Sequence, residues 1–135
     1  MTMKQAHGRF EVTLTPQPMH DAAHGSPLAR RAIAKRFLGD LDATSIGEML
    51  SAGTSVQGSA GYVAIERVTG TLNGRRGTFV LQHNGLMARG EPQLAITVVP
   101  DSGTDELTGL TGTMSITIAN GDHSYDFTYA LPAAP

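Results

Sequence analysis

The sequence contains no cysteine and no tryptophan. Without thiols there is no disulfide, no thiolate nucleophile and no zinc–thiolate site, a composition that fits the reducing cytoplasm without requiring it. Charge is also scarce. Charged residues make up 16% of the chain and the net charge is -2, which supplies no field to attract nucleic acid or anionic lipid. No stretch approaches the roughly 20 apolar residues of a membrane helix. The opening "MTMKQAHGRFEVTL" lacks the apolar run of a signal peptide. Aromatic residues amount to 5%, and no exposed aromatic platform for nucleic acid is evident. A Gly-x-Ser-x-Gly elbow for a serine hydrolase is missing as well. These absences predict a cytoplasmic protein with no nucleic-acid or membrane partner.

What is present is strand patterning. The 135 residues suit one domain over 1–135, large enough to bury roughly two-thirds of its unfolded surface. "GRFEVTLT" places Phe10, Val12 and Leu14 on one face and Arg9, Glu11 and Thr13 on the other. A Pro- and His-rich loop is expected over 16–28. Further strands are expected at about Ala29–Leu41, Ser45–Ala52, Tyr62–Leu72, Gly77–Met87, "LAITVV", Gly112–Ala119 and "HSYDFTYAL", with a frayed tail at 132–135. Eight sequential antiparallel strands predict an all-β up-and-down barrel, with a two-sheet sandwich as the alternative.

Asn73-Gly74 and Asn120-Gly121 are strong hairpin signals. Around the first, a two-residue and a four-residue loop keep the same parity. One face then carries Tyr62, Ala64, Glu66, Val68, Gly70 and Leu72 with Phe79, Leu81, His83, Gly85 and Met87. Its mixture of large and small residues suits a barrel interior, which leaves Val63, Ile65 and Val80 outside, where another subunit would bury them. Around the second hairpin Met114, Ile116 and Ile118 meet His123, Tyr125, Phe127 and Tyr129 on the inner face.

"PDSGTDELTGLTGTMSI" clusters Gly103, Gly109 and Gly112. A phosphate loop needs a following helix and a Lys; here a strand follows and no Lys is present. The stretch reads as a barrel corner, with Gly103 at positive φ and Gly109 and Gly112 permitting a bulge or sharp bend. The basic run "ARRAIAKRF" reads as a solvated strand face. Lys35 shares parity with Ile33 and Phe37, but its long stem predicts a solvated end.

The candidate chemistry is the inner pair Glu66 and His83. They sit directly opposite with a four-residue loop and diagonally with a two-residue turn. Desolvation would raise the Glu66 pKa and a cationic His83 would lower it, so the two would titrate as a unit able to do acid–base work. The same pair could equally be a satisfied polar contact that fixes register. Tyr62, Phe79, Leu81, Tyr125 and Phe127 are the expected ligand contacts, and Glu48 joins them with its facing open. His20 and His24 in "HDAAH" would share a face only on a helix, and they stand in a loop without a third ligand. Neither a metal nor a cofactor is expected.

"GRFEV", "KRFLGDLDATSIGEML", "GYVAIERVTGTLNGRRGTFVLQHNG", "VVPDSGTDELTGLTGTMSI" and "HSYDFTY" together resemble a bacterial family of small single-domain barrels of unknown function, over nearly the whole chain. That family's fold is similar to the allene oxide cyclase barrel, shared with dirigent proteins. Gly39-Asp40-Leu41 looks like a recurring "GDL" of those barrels. The Gly-rich stretch resembles their turn before the seventh strand, with Leu107 where they carry Phe. The resemblance implies the barrel and allows a trimer or dimer, and it supplies no catalytic residues. Three functions follow in order: a barrel binding a small, mostly apolar ligand; a metal-independent isomerase or cyclase using Glu66 and His83; and a structural oligomer with a filled core.

Overall fold

The computed structural model describes residues 2–132 and forms a closed barrel of eight antiparallel strands in sequence order, with β1 returning to pair with β8. The strands are β1 (Lys4–Gln17), β2 (Leu28–Gly39), β3 (Leu41–Gly53), β4 (Ala60–Leu72), β5 (Arg75–Ala88), β6 (Glu91–Val98), β7 (Thr111–Ala119) and β8 (Asp122–Ala130). Closure rules out the sandwich. Of the expected frayed tail, residues 133–135 lie outside the described residues.

The hairpin signals act as their chemistry dictates. Asn73 and Gly74 take φ of 45 and 84, Asn120 and Gly121 take 54 and 80, the left-handed pair of a two-residue turn whose twist matches the strands. Leu72 therefore faces Arg75, and Ala119 faces Asp122. Parity then follows as expected: Ala64, Glu66, Val68, Leu72, Phe79, Leu81 and His83 are buried, while Val63 and Ile65 are half exposed.

Several boundaries differ from expectation. β1 continues to Gln17 and the loop shrinks to 18–27. The second strand ends at Gly39 rather than Leu41, because Gly39 at φ 100 reverses the chain and the Asp40 carboxylate accepts the His7 N–H at 2.9 Å. Gly103 is not a positive-φ residue. Asp101 and Asp105 take the left-handed conformation instead, and Gly103 is required because a Cβ there would lie 1.9 Å from the Leu107 carbonyl.

The Gly-rich stretch does more than turn a corner. It folds across one end of the barrel as a 3-10 turn, Asp105–Leu107, and drops Leu107 and Leu110 into the interior at 1% and 0% exposure. Above this plug lies an aromatic layer. Phe79 stacks on Phe127 at 5.8 Å, and Phe127 on Tyr129 at 5.3 Å. Each fully buried aromatic contributes about 1.5–3 kcal/mol of transfer free energy. Tyr125 also carries a polar duty here. Its hydroxyl accepts the Leu41 N–H at 2.9 Å and donates to the Leu38 carbonyl at 2.8 Å, tying β8 to the β2–β3 turn.

Tyr125→Phe should cost about 1–3 kcal/mol by leaving the Leu41 amide unpaired in the core. Urea unfolding with an unchanged slope would read that loss; a variant as stable as the parent would refute the role given to the hydroxyl.

Candidate functional site

The inner face changes character along the barrel axis. Above the aromatic layer, strands β2 to β5 place four polar side chains at one level: Lys35, Ser45, Glu66 and His83. The two-residue turn sets Glu66 opposite Leu81 and Ala64 opposite His83, so the acid and the imidazole are diagonal neighbours. His83 Nε2 lies 2.5 Å from Glu66 Oε2, with both side chains almost fully buried. Lys35 Nζ donates to the same oxygen at 2.8 Å, and Ser45 Oγ donates to Oε1 at 2.7 Å.

Lys35 corrects two expectations. Its side chain is 8% exposed and points inward, with the ammonium 5.1 Å from the Phe10 ring centroid and 5.7 Å from that of Phe37. The pleat of β2 sends Arg31, Ile33, Lys35 and Phe37 inward and Arg30 and Arg36 outward, so the basic run is a solvated face on one side only. The aromatic faces and the Glu66 carboxylate together replace the water that the ammonium gives up.

Burial pushes the Glu66 carboxyl upward, but the hydrogen bond from His83 and the nearby Lys35 ammonium outweigh it and hold the pKa at about 2. An ionised carboxylate only accepts, so His83 Nε2 carries a proton and Nδ1 is turned toward the next member of the hydrogen-bonded network. That residue is Tyr62, whose hydroxyl lies 3.1 Å from His83 Nδ1. Burial, and then the Glu66 charge, raise the Tyr62 pKa, so the phenol keeps its proton within hydrogen-bond distance of Nδ1. Gly85 gives the ring its place: a Cβ there would sit 2.4 Å from the Tyr62 ring.

Tyr62 is also where the packed interior stops. Beyond it the barrel opens into a cavity of about 860 Å³ whose lining includes Arg31, Met49, Ser51, Tyr62, Leu94 and Ile116. Of the expected ligand contacts, Tyr62 is the one this cavity reaches. Phe79, Leu81, Tyr125 and Phe127 do face inward, but at 1%, 0%, 2% and 0% exposure they belong to the filled half. The hydroxyls of Tyr62 and Tyr125 do not share a space. Glu48 faces outside, where it pairs with Arg30 at 2.5 Å, because Ile46 and Leu50, which share its parity, are outward too. Met87 lines the cavity at its rim. Sequence reasoning missed Arg31, Met49, Ser51 and Leu94; the inward parity of Ile33 and Phe37 could have led to Arg31. His20 and His24 are both exposed in the loop before β2.

The β6–β7 seam borders this cavity. β6 pairs with β5 along its whole length but with β7 through two residue pairs, Ile96 with Met114 and Thr97 with Thr113. Toward the mouth the two strands part, with Leu94 and Ile116 flanking the gap.

The family described as "Protein of unknown function (DUF3224)" matches residues 6–129. The chain belongs to the DUF3224 family. A solved structure of a DUF3224 protein of unknown function from Shewanella oneidensis MR-1 is similar, at 52% identity over 98% of this chain and 100% of that one, with a TM-score of 0.93. None of the curated proteins matches. The DUF3224 match bears out the resemblance to a family of unknown function, and the Shewanella structure shares the fold of this chain. Among the described residues no helix is long and apolar enough to cross a membrane.

Glu66→Gln leaves the Lys35 ammonium buried without its counter-charge and should cost about 3–5 kcal/mol; adding Lys35→Met should recover most of it. Denaturant unfolding of the three proteins measures this, and a double variant no better than the single one would refute the pairing. The sign of the pH effect follows from the depressed carboxyl. Its contribution is complete above its ordinary pKa of 4.5 and is lost as pH falls through about 2. Across that window the parent should lose about 3 kcal/mol more than the double variant.

Proposed function

We propose that the protein is a cytoplasmic barrel that binds a small, mostly apolar molecule in its open half. The observation that carries this reading is the cavity of about 860 Å³ beyond Tyr62. Ligand sites of about 300–1,000 Å³ are usual, with apolar linings and a few placed polar groups. Met49, Leu94 and Ile116 supply the apolar lining, and Tyr62 supplies a hydroxyl at the base. The filled lower half serves as the rigid support.

A second reading, metal-independent isomerisation or cyclisation, is favoured by one contact: Tyr62 touches both the cavity and the buried pair, through His83 Nδ1 at 3.1 Å. A substrate proton taken up at the phenol oxygen would be balanced by transfer of the phenol's own proton to Nδ1. Glu66, already paired with Lys35, would stabilise the imidazolium that forms. In this reading Tyr62 is the group that meets substrate and Glu66 is a positioning residue.

The oligomer belongs to the same proposal. Ile46, Leu50, Val63 and Ile65 form an outward apolar face at 59%, 45%, 50% and 53% exposure. Arg30, Glu48, Arg67, Gln82 and Asn84 lie around it. A rim carrying both signs of charge suits a second copy of the same face, as a two-fold contact requires.

Ile116→Trp should fill the mouth and weaken binding of the uncharged dye N-phenylnaphthylamine by about tenfold or more. Fluorescence titration reads the affinity, and the thermal midpoint should stay near that of the parent. Tyr62→Phe should leave dye affinity within about threefold. Dye that binds the Trp variant as well as the parent defeats the cavity reading. Separately, Ile65→Glu should shift sedimentation from an oligomer to a monomer; a parent that already sediments as a monomer rejects the proposed face.

A further inference from the structure

The mouth has two unlike walls. On β2, β3 and β4 the inner-face residues at this end include Arg31, Ser51 and Tyr62. Register sets Arg31 opposite Met49 and Ser51 opposite Tyr62, and Arg31 Nη1 donates across to Ser51 Oγ at 3.3 Å. The facing wall, from β6 and β7, presents Leu94, Ile116 and Ile118.

Arg31 stands apart from the other cations of its own run. Arg30 is neutralised by Glu48 at 2.5 Å, Lys35 by Glu66 at 2.8 Å, and Arg36 by Asp42 at 2.5 Å. Arg31 takes a hydroxyl and, among the described residues, no carboxylate. It is also the charged residue in the described lining of the cavity. A guanidinium there is half-buried against apolar surface, where an opposite charge counts for more than it would in water. Its donors form a fork, of which the Ser51 contact uses one N–H. A planar, two-oxygen anion is the partner that such a fork fits best.

We infer that the ligand of this cavity is an amphipathic carboxylate. Its carboxylate takes the Arg31 fork beside Ser51, and its apolar body lies along Leu94, Ile116 and Ile118. Tyr62 then faces the part of the molecule next to the acid group, close enough to set which ligands fit. The inference rests on the cavity reading above and narrows it to a chemical class.

Calorimetric titration with octanoate and octanol, which match in chain length, separates the two claims. The parent should bind octanoate about tenfold or more tightly than octanol. In Arg31→Met that difference should vanish while octanol affinity moves less than about threefold, and octanol binding then certifies that the variant is folded. Equal affinity of the parent for acid and alcohol, or a preference that survives in Arg31→Met, overturns the carboxylate assignment and leaves the cavity reading standing. N-phenylnaphthylamine binding with neither octanoate nor octanol binding has the same meaning. Failure of all three probes overturns the cavity reading itself.

Discussion

The Glu66 carboxylate draws its partners from three other strands: Lys35 from β2, Ser45 from β3 and His83 from β5. With β4 carrying the acid, half the barrel wall converges on two oxygen atoms. A one-residue slip of any of these strands would turn its member of the cluster to the outside. The penalty would be an uncompensated charge in the interior rather than one lost contact. Fixed register in turn puts Tyr62 over His83, and Tyr62 marks the boundary between the filled and the open half. The polar layer thus acts first as a structural determinant.

The barrel divides the work along its axis. The lower half is closed by Leu107 and Leu110 and packed with stacked aromatics. The upper half keeps its apolar side chains apart. Between them the charged layer works like a floor: an apolar molecule gains nothing by passing it, and the polar groups are already satisfied by one another. A ligand would therefore sit on Tyr62 rather than penetrate the core.

The fold was legible because its signals are local. Two Asn-Gly turns set parity for four strands, and strict alternation carried that parity across each. Glu66 and His83 were legible for the same reason, as inner-face residues of one hairpin. Lys35 was not, although its parity pointed inward. The rule that long cationic stems reach solvent holds when an end is near, and here Phe10, Phe37 and a carboxylate from another hairpin offered the ammonium a better place. Phe79, Leu81, Tyr125 and Phe127 were rightly put inside, but depth along the axis depends on strand stagger around the closed ring, which no single hairpin encodes. Glu48 shows the same limit, because β3 has no turn signal tying its parity to the aromatic face.

The parting of β6 from β7 gives the barrel a side as well as a top. Two residue pairs hold the β6–β7 junction, and beyond them the hydrogen-bonding edges of Glu91–Ala95 and Ser115–Ala119 run unmated. Widening that slot breaks few bonds, whereas widening any other junction unzips a long ladder. A bulky or branched guest could thus enter laterally, like a letter through a flap.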